Sequence, residues 1–191
     1  MATITPTTHT LKDGRQLTLR SGIPTDAEAE QILKVVHTIL AENTYTLVTA
    51  EELTIPVEQE KEWIKAHLEH PHHLLLVAEL EGQIVGSIDF TNGVHQRIAH
   101  TGEFGMGVAK AYRGLGVGQA LLVELMAWAK SSPMIKKINL CVHHTNTKAI
   151  AMYEKHGFVK EGLRTKDLKY SDTEYVDTVL MGLWLDTTFQ G

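Results

Sequence analysis

The hexamer Arg113-Gly114-Leu115-Gly116-Val117-Gly118 sets glycines at alternate positions beside a permanent cation. Glycine admits positive φ and leaves backbone N–H groups open to a ligand. Gln119, Ala120, Leu121, Leu122 and Leu125 follow at helical spacing, so the hexamer opens a helix. Unpaired amides and the positive end of the helix dipole make such a terminus an anion site. The chemistry predicted is a pyrophosphate cradle, and a purely structural glycine-rich turn is the plainer alternative. A Walker loop needs a Lys-Ser/Thr pair where this chain has Gln119-Ala120. A dinucleotide fingerprint needs GxGxxG, usually after the first strand of a βαβ unit, whereas this loop follows several strands read as antiparallel.

A second segment lies downstream: Asn146-x-x-Ala149, then Tyr153, then Gly157-Phe158. With Arg113-x-x-Gly116-x-Gly118 it resembles the two cofactor segments of the GNAT superfamily of N-acetyltransferases, in the expected order. The resemblance covers about residues 16–185 and is strongest over 103–162. It looks closest to bacterial spermidine, ribosomal-protein and amino-acid N-acetyltransferases. It implies acetyl-CoA as co-substrate and transfer of its acetyl group to a primary amine of a small molecule or peptide, by direct attack on the thioester. In similar proteins the strand before the loop offers backbone groups to the pantetheine arm, here Met106, Gly107 and Val108. The arm enters where this strand splays from Ile135–Val142. The amides of Arg113, Gly114, Leu115, Gly116, Val117, Gly118 and Gln119 would hold the pyrophosphate. Asn146 would hydrogen-bond the cofactor arm, with Ala149 completing its motif, and Tyr153 would direct its phenol at the thioester sulfur. Many relatives carry a proline just before the loop; here the stretch is Ala109-Lys110-Ala111-Tyr112, which leaves the strand end less stiff.

A lysine-like amine has a pKa of about 10.4, so a base must take its proton at neutral pH. Glu103, three residues before Met106 on the glycine-marked strand, is the candidate; an exposed strand carboxylate is the bland alternative. The Val108 amide would face the developing oxyanion. The leaving thiolate, with a pKa of about 8.5, needs a proton that Tyr153 would give. A core tyrosine with a satisfied hydroxyl is the alternative for Tyr153. Retention of both Glu103 and Tyr153 favours an enzyme over a non-catalytic acyl-CoA-binding regulatory module on the same fold. His67, His70, His72 and His73 cluster and His143-His144 pair, without HExxH spacing or a nearby cysteine, so no metal is expected. His144, near the second cofactor segment, is a candidate for lining the acceptor site. Cys141, on an apolar strand, reads as a small core residue. The connector Asn43–Pro56 and the terminal hairpin are expected to select the acceptor, with Glu42, Glu51 and Glu52 able to attract a polyamine or another cation.

These groups need a scaffold. Alternation marks a strand at Gln16–Arg20; capping-box spacing of Thr25 and Glu28 opens a helix to about Glu42. A second helix is predicted over Val57–Glu69, with Trp63, Ile64 and Leu68 inward and Pro71 closing it. Leu74–Leu80 and Ile84–Phe90 read as a hairpin across Glu81-Gly82-Gln83, and Arg97–Val108 as a third long strand. Gly102, Gly105 and Gly107 within it suggest close approach by another backbone or a ligand. After the helix that reaches Lys130 come a strand at Ile135–Val142, a helix at Asn146–His156 and two strands within Phe158–Trp184. The predicted class is α/β (α+β), a mixed, mostly antiparallel sheet of about seven strands with helices on both faces. Residues 1–191 are expected to form a single domain, with 1–14 flexible.

With 43% hydrophobic and 21% charged residues the composition is that of an ordinary folded domain. A net charge of −5 gives no pull toward nucleic acid or anionic membrane, and no apolar run approaches the roughly 20 residues of a membrane span. The start has no signal-like apolar stretch, and a lone cysteine excludes an intramolecular disulfide, which fits the cytoplasm. Small acetyltransferases of this kind often pair, so a homodimer is expected.

Overall fold

Eight strands, not seven, alternate with four α-helices in the computed structural model, which describes residues 3–185. The strands are β1 (Thr7–Thr10), β2 (Gln16–Ser21), β3 (Leu74–Leu80), β4 (Gln83–Asn92), β5 (Thr101–Val108), β6 (Lys137–His143), β7 (Val159–Lys169) and β8 (Tyr175–Trp184). The helices are α1 (Asp26–Leu40), α2 (Val57–Glu69), α3 (Val117–Ser131) and α4 (Thr147–Lys155). The strand order is β1-β2-β3-β4-β5-β6-β8-β7, mixed and mostly antiparallel. The chain groups into two compact units: residues up to Thr91 with Gly105–Ser132, and Asn92–Phe104 with Pro133 onward.

In the first unit the β3–β4 hairpin turns on Glu81 (φ 52°) and Gly82 (φ 79°), a two-residue loop with both central residues left-handed. Its two faces are claimed by different helices. Leu75, Val77 and Ile84 join Ala29, Ile32 and Val35 of α1 and Ile64 of α2 in one buried cluster. Leu74 and its cross-strand partner Phe90 point the other way, where Phe90 meets Trp128 of α3 edge-on at 5.4 Å. Helices therefore cover both faces of this part of the sheet. Thr25 caps α1 by accepting from the Glu28 amide, but the Glu28 carboxylate does not reach back in a capping box. It accepts instead from the Ile23 amide at 2.6 Å and from Arg20, which also binds Glu79.

Three expectations change here. Thr7–Thr10, expected within a flexible lead-in, pairs with β2 and adds the eighth strand. It carries no large apolar residue, but β-branched threonines suit a pleated edge, and the Thr7 hydroxyl donates to Glu124 of α3 at 3.2 Å. On α2 the inward stripe is Glu60, Ile64 and His67, leaving Trp63 at 37% exposure. The i, i+4, i+7 spacing of that stripe defines the face, although two of its three residues are polar. Residues 97–100 form a turn, shortening the third long strand to Thr101–Val108.

In the second unit β6 pairs antiparallel with β8 over its whole length, and β8 with β7. The first residues of β5 pair in parallel with β6, Thr101–Glu103 against Lys137–Asn139. Ile138, Leu140 and Val142 of β6 are buried while Cys141 is exposed, so the cysteine lies on the open face and not in the core.

Candidate active site

β5 ends at Val108 and a 3-10 turn (Lys110–Tyr112) delivers the chain to the glycine-rich loop. Gly114 (φ 78°) and Gly116 (φ 109°) are left-handed, conformations that any side chain would strain. Gly116 is the N-cap of α3 and has no side chain to satisfy the helix. The Ala120 amide takes the Gly116 carbonyl, so the amides of Val117, Gly118 and Gln119 have no intrahelical partner. The loop is pinned from behind by the Lys12 amide, which donates to the Leu115 carbonyl at 3.0 Å. A Cβ on Gly118 would lie 3.7 Å from Met106 and Val108 side chains, an ordinary contact, so Gly118 is not sterically required. Open amides at a dipole's positive end fit a pyrophosphate.

Arg113 does not stand free beside this terminus. Its guanidinium forks onto Glu42 at 2.8 and 2.7 Å, and its Nε donates to the Val108 carbonyl at 2.8 Å. The arginine braces the end of β5 against the residue just beyond α1. Glu42, expected to attract a cationic acceptor, is thereby committed to an internal pair.

Two of the three glycines of β5, Gly105 and Gly107, are crowded by neighbours within the first unit. A Cβ on Gly107 would sit 2.7 Å from Ile39 of α1, and one on Gly105 2.9 Å from Asp89 Oδ1. Asp89, in the middle of β4, accepts a hydrogen bond from the Gly105 amide, and burial pushes its carboxyl up to about 6. Glu60 of α2 is 7% exposed and is likewise raised, by burial and then by the charge of Asp89. Sequence reasoning passed over both acids. The signal available was an aspartate inside the apolar run Ile84–Phe90.

In the second unit Glu103 is exposed on β5 opposite Asn139, whose buried Oδ1 has no hydrogen-bond partner. Tyr153 is buried on α4, its ring edge-on to Phe104 at 5.8 Å and 5.8 Å from Phe158. Burial pushes its phenol up to about 12, so it keeps its proton throughout the physiological range. Asn146 is the N-cap of α4: its Oδ1 accepts from the Ala149 amide at 3.3 Å. Asn146 and Ala149 are thus coupled by capping, which positions the helix that carries Tyr153. His144 Nδ1 is engaged with the backbone of Asp177. His70 and His73 stack at 3.6 Å, and among the described residues no group of three or more His, Cys, Asp or Glu could hold a metal ion.

Residues 35–158 match the model of the acetyltransferase (GNAT) family. The L-amino acid N-acetyltransferase AaaT of Escherichia coli is 30% identical over 129 residues, 68% of this chain and 79% of that protein. The crystal structure of a GNAT-family acetyltransferase from Streptococcus pneumoniae superposes with a TM-score of 0.83 at 26% identity, covering 88% of this chain and 99% of that one. A Salmonella typhimurium protein solved with its cofactor acetyl-CoA shares the fold, with a TM-score of 0.79 at 19% identity over 92% of this chain and 97% of that one. The chain belongs to the GNAT family and is an acetyl-CoA-dependent N-acetyltransferase.

Proposed function

We propose that this enzyme, acting as one domain, transfers the acetyl group of acetyl-CoA to the primary amine of a small molecule or peptide. The observation that carries this reading is the Gly116-capped start of α3, directly after β5, with three amides left open. The Arg113–Gln119 backbone would bind the pyrophosphate and the edge groups of Met106–Val108 the pantetheine arm. Acetyl-CoA supplies an activated acyl carbon open to direct attack by the amine.

The remaining roles belong to side chains and one amide. Tyr153, held protonated by burial, gives its proton to the departing sulfur. The Val108 amide donates toward the carbonyl oxygen. Asn146 orients α4 through its cap and has its Nδ2 left for the cofactor arm. Glu103 is one candidate for the base, exposed to incoming acceptor and acting directly or through water. A specific observation favours Asp89 in the same role. A carboxyl near 6 is ionised at neutral pH yet more basic than an ordinary carboxylate.

The test is CoA release from acetyl-CoA with polyamines, free L-amino acids, aminoglycosides and short peptides as acceptors. Saturable release with one class supports the reading; acetyl-CoA binding without release for any acceptor supports a non-catalytic module. Replacing Glu103 and Asp89 singly by their amides assigns the base. A homodimer in the cytoplasm is part of the proposal. Among the described residues no helix is long and apolar enough to cross a membrane. A native mass of 21.3 kDa instead of twice that would remove the dimer.

A further inference from the structure

Glu60 is 7% exposed, and its carboxylate has no hydrogen bond or ion pair to any described residue. It lies on the face of α2 that also buries Ile64, toward the side of the sheet where Leu75 and Val77 point. Asp89 is the cross-strand partner of Leu75 and so shares that side. Ile64, one turn from Glu60, clusters with Leu75, so the two acids lie on facing surfaces of α2 and the sheet, and the charge of Asp89 raises Glu60 further. Asp89 has two backbone donors, its own amide and that of Gly105, and no cation among the described residues. The nearby arginines of the same unit are committed: Arg20 to Glu28 and Glu79, Arg113 to Glu42.

Two carboxylates facing one another across a packed layer without a counter-ion repel one another and lose hydration, a loss that a bound cation reverses. Access is provided at Gly105, which is exposed and lacks the Cβ that would stand 2.9 Å from Asp89 Oδ1. The arrangement has a definite charge preference. An ammonium entering along β5 meets two acceptors. A carboxylate entering with it meets two like charges.

We propose that Glu60 and Asp89 together receive the ammonium of the acceptor, and that this enzyme therefore selects amines with no carboxylate beside the nitrogen, such as alkyl mono- and diamines, over free α-amino acids. This rests on the acetyl-transfer reading and names its substrate class. Glu60 makes the selection; it has no place in cofactor binding.

Calorimetry on the full chain in the presence of CoA tests it with a matched pair, 3-methylbutylamine and leucine, which is the same amine bearing a carboxylate beside its one nitrogen. The amine is expected to bind about tenfold or more tightly than leucine, because its ammonium gains charge-assisted hydrogen bonds without the repulsion that the leucine carboxylate meets. Glu60→Gln is expected to erase at least that factor for the amine while its melting temperature holds or rises, since a strained charge is removed. Leucine binding as well as the amine, an unchanged amine affinity in Glu60→Gln, or binding of neither compound would overturn the assignment. Acetyl-CoA titrated into protein free of CoA and amine separates the two readings. Its failure to bind sinks acetyl transfer, whereas normal acetyl-CoA binding with a leucine preference sinks only the ammonium pair.

Discussion

Arg113 and Glu42 meet in a two-pronged ion pair, 2.8 and 2.7 Å long, while the same guanidinium holds the Val108 carbonyl at 2.8 Å. Only the arginine fork can serve both partners in one plane, and a lysine cannot. The pair is partly exposed, with side-chain accessibilities of 40% and 17%. Its worth is accordingly small, about 1 kcal/mol or less. Arg113→Lys and Glu42→Gln should each lower the melting temperature slightly. Both should raise KM for acetyl-CoA through a loosened end of β5, with kcat nearly held. A large fall in kcat with KM unchanged would contradict a bracing role.

The glycine loop separates backbone demand from space. Gly116 has a φ of 109°, so alanine there should cost about 1–2 kcal/mol and misplace the amides that follow. Gly118 lies inside α3 without a positive φ and with 3.7 Å of clearance, so Gly118→Ala should fold and bind acetyl-CoA much as before. Acetyl-CoA titration and thermal melting of the two variants check this; equal damage from both would mean that the loop's geometry is not what binds the cofactor.

Tyr153 offers a clean deletion of one proton. Its ring fills a cluster with Phe104 and Phe158, and Tyr153→Phe keeps that ring. Stability and acetyl-CoA binding should therefore persist, while kcat falls by about a hundredfold or more if the phenol is the general acid. Unchanged kcat would return Tyr153 to a packing role.

The elements that run on apolar content were legible from the sequence. Leu74–Leu80 is a continuous apolar run ended by a tight turn, and Val57–Glu69 is bounded by Pro56 and Pro71; both have the predicted limits. The loop at Gly114 and Gly116 was legible because glycine there answers a local backbone demand. What escaped depends on neighbours distant in sequence. Thr7–Thr10 is a strand because β2 lies beside it and Glu124 receives its hydroxyl. Trp63 yields the inner face to Glu60 and His67, although side-chain chemistry alone argues the reverse. Arg113 has the chemistry of a phosphate ligand, yet Glu42, far earlier in the chain, holds it. Asp89 gains its significance only from Gly105 and Glu60, on two other elements.

Asp89 should impose opposite pH trends on stability and activity. Its carboxyl is raised from 3.8 to about 6 because burial disfavours the charged form. The folded state thus holds the proton more tightly than the unfolded state. This contribution to stability is complete below about pH 4 and is lost as pH rises through about 6. Asp89→Asn keeps an acceptor for the Gly105 amide but never ionises. It should therefore be more stable than the parent above pH 6, by up to about 3 kcal/mol, with the difference shrinking as pH falls toward 4. Activity has the other sign: a base is useful only when deprotonated, so kcat/KM of the parent should rise across pH 6 and that step should vanish in Asp89→Asn. Chemical denaturation and initial rates measured on both proteins across pH 4–8 read the two trends together. A stability gap independent of pH, or a parent profile whose step survives the substitution, would remove Asp89 from the proton path and leave Glu103 as the base.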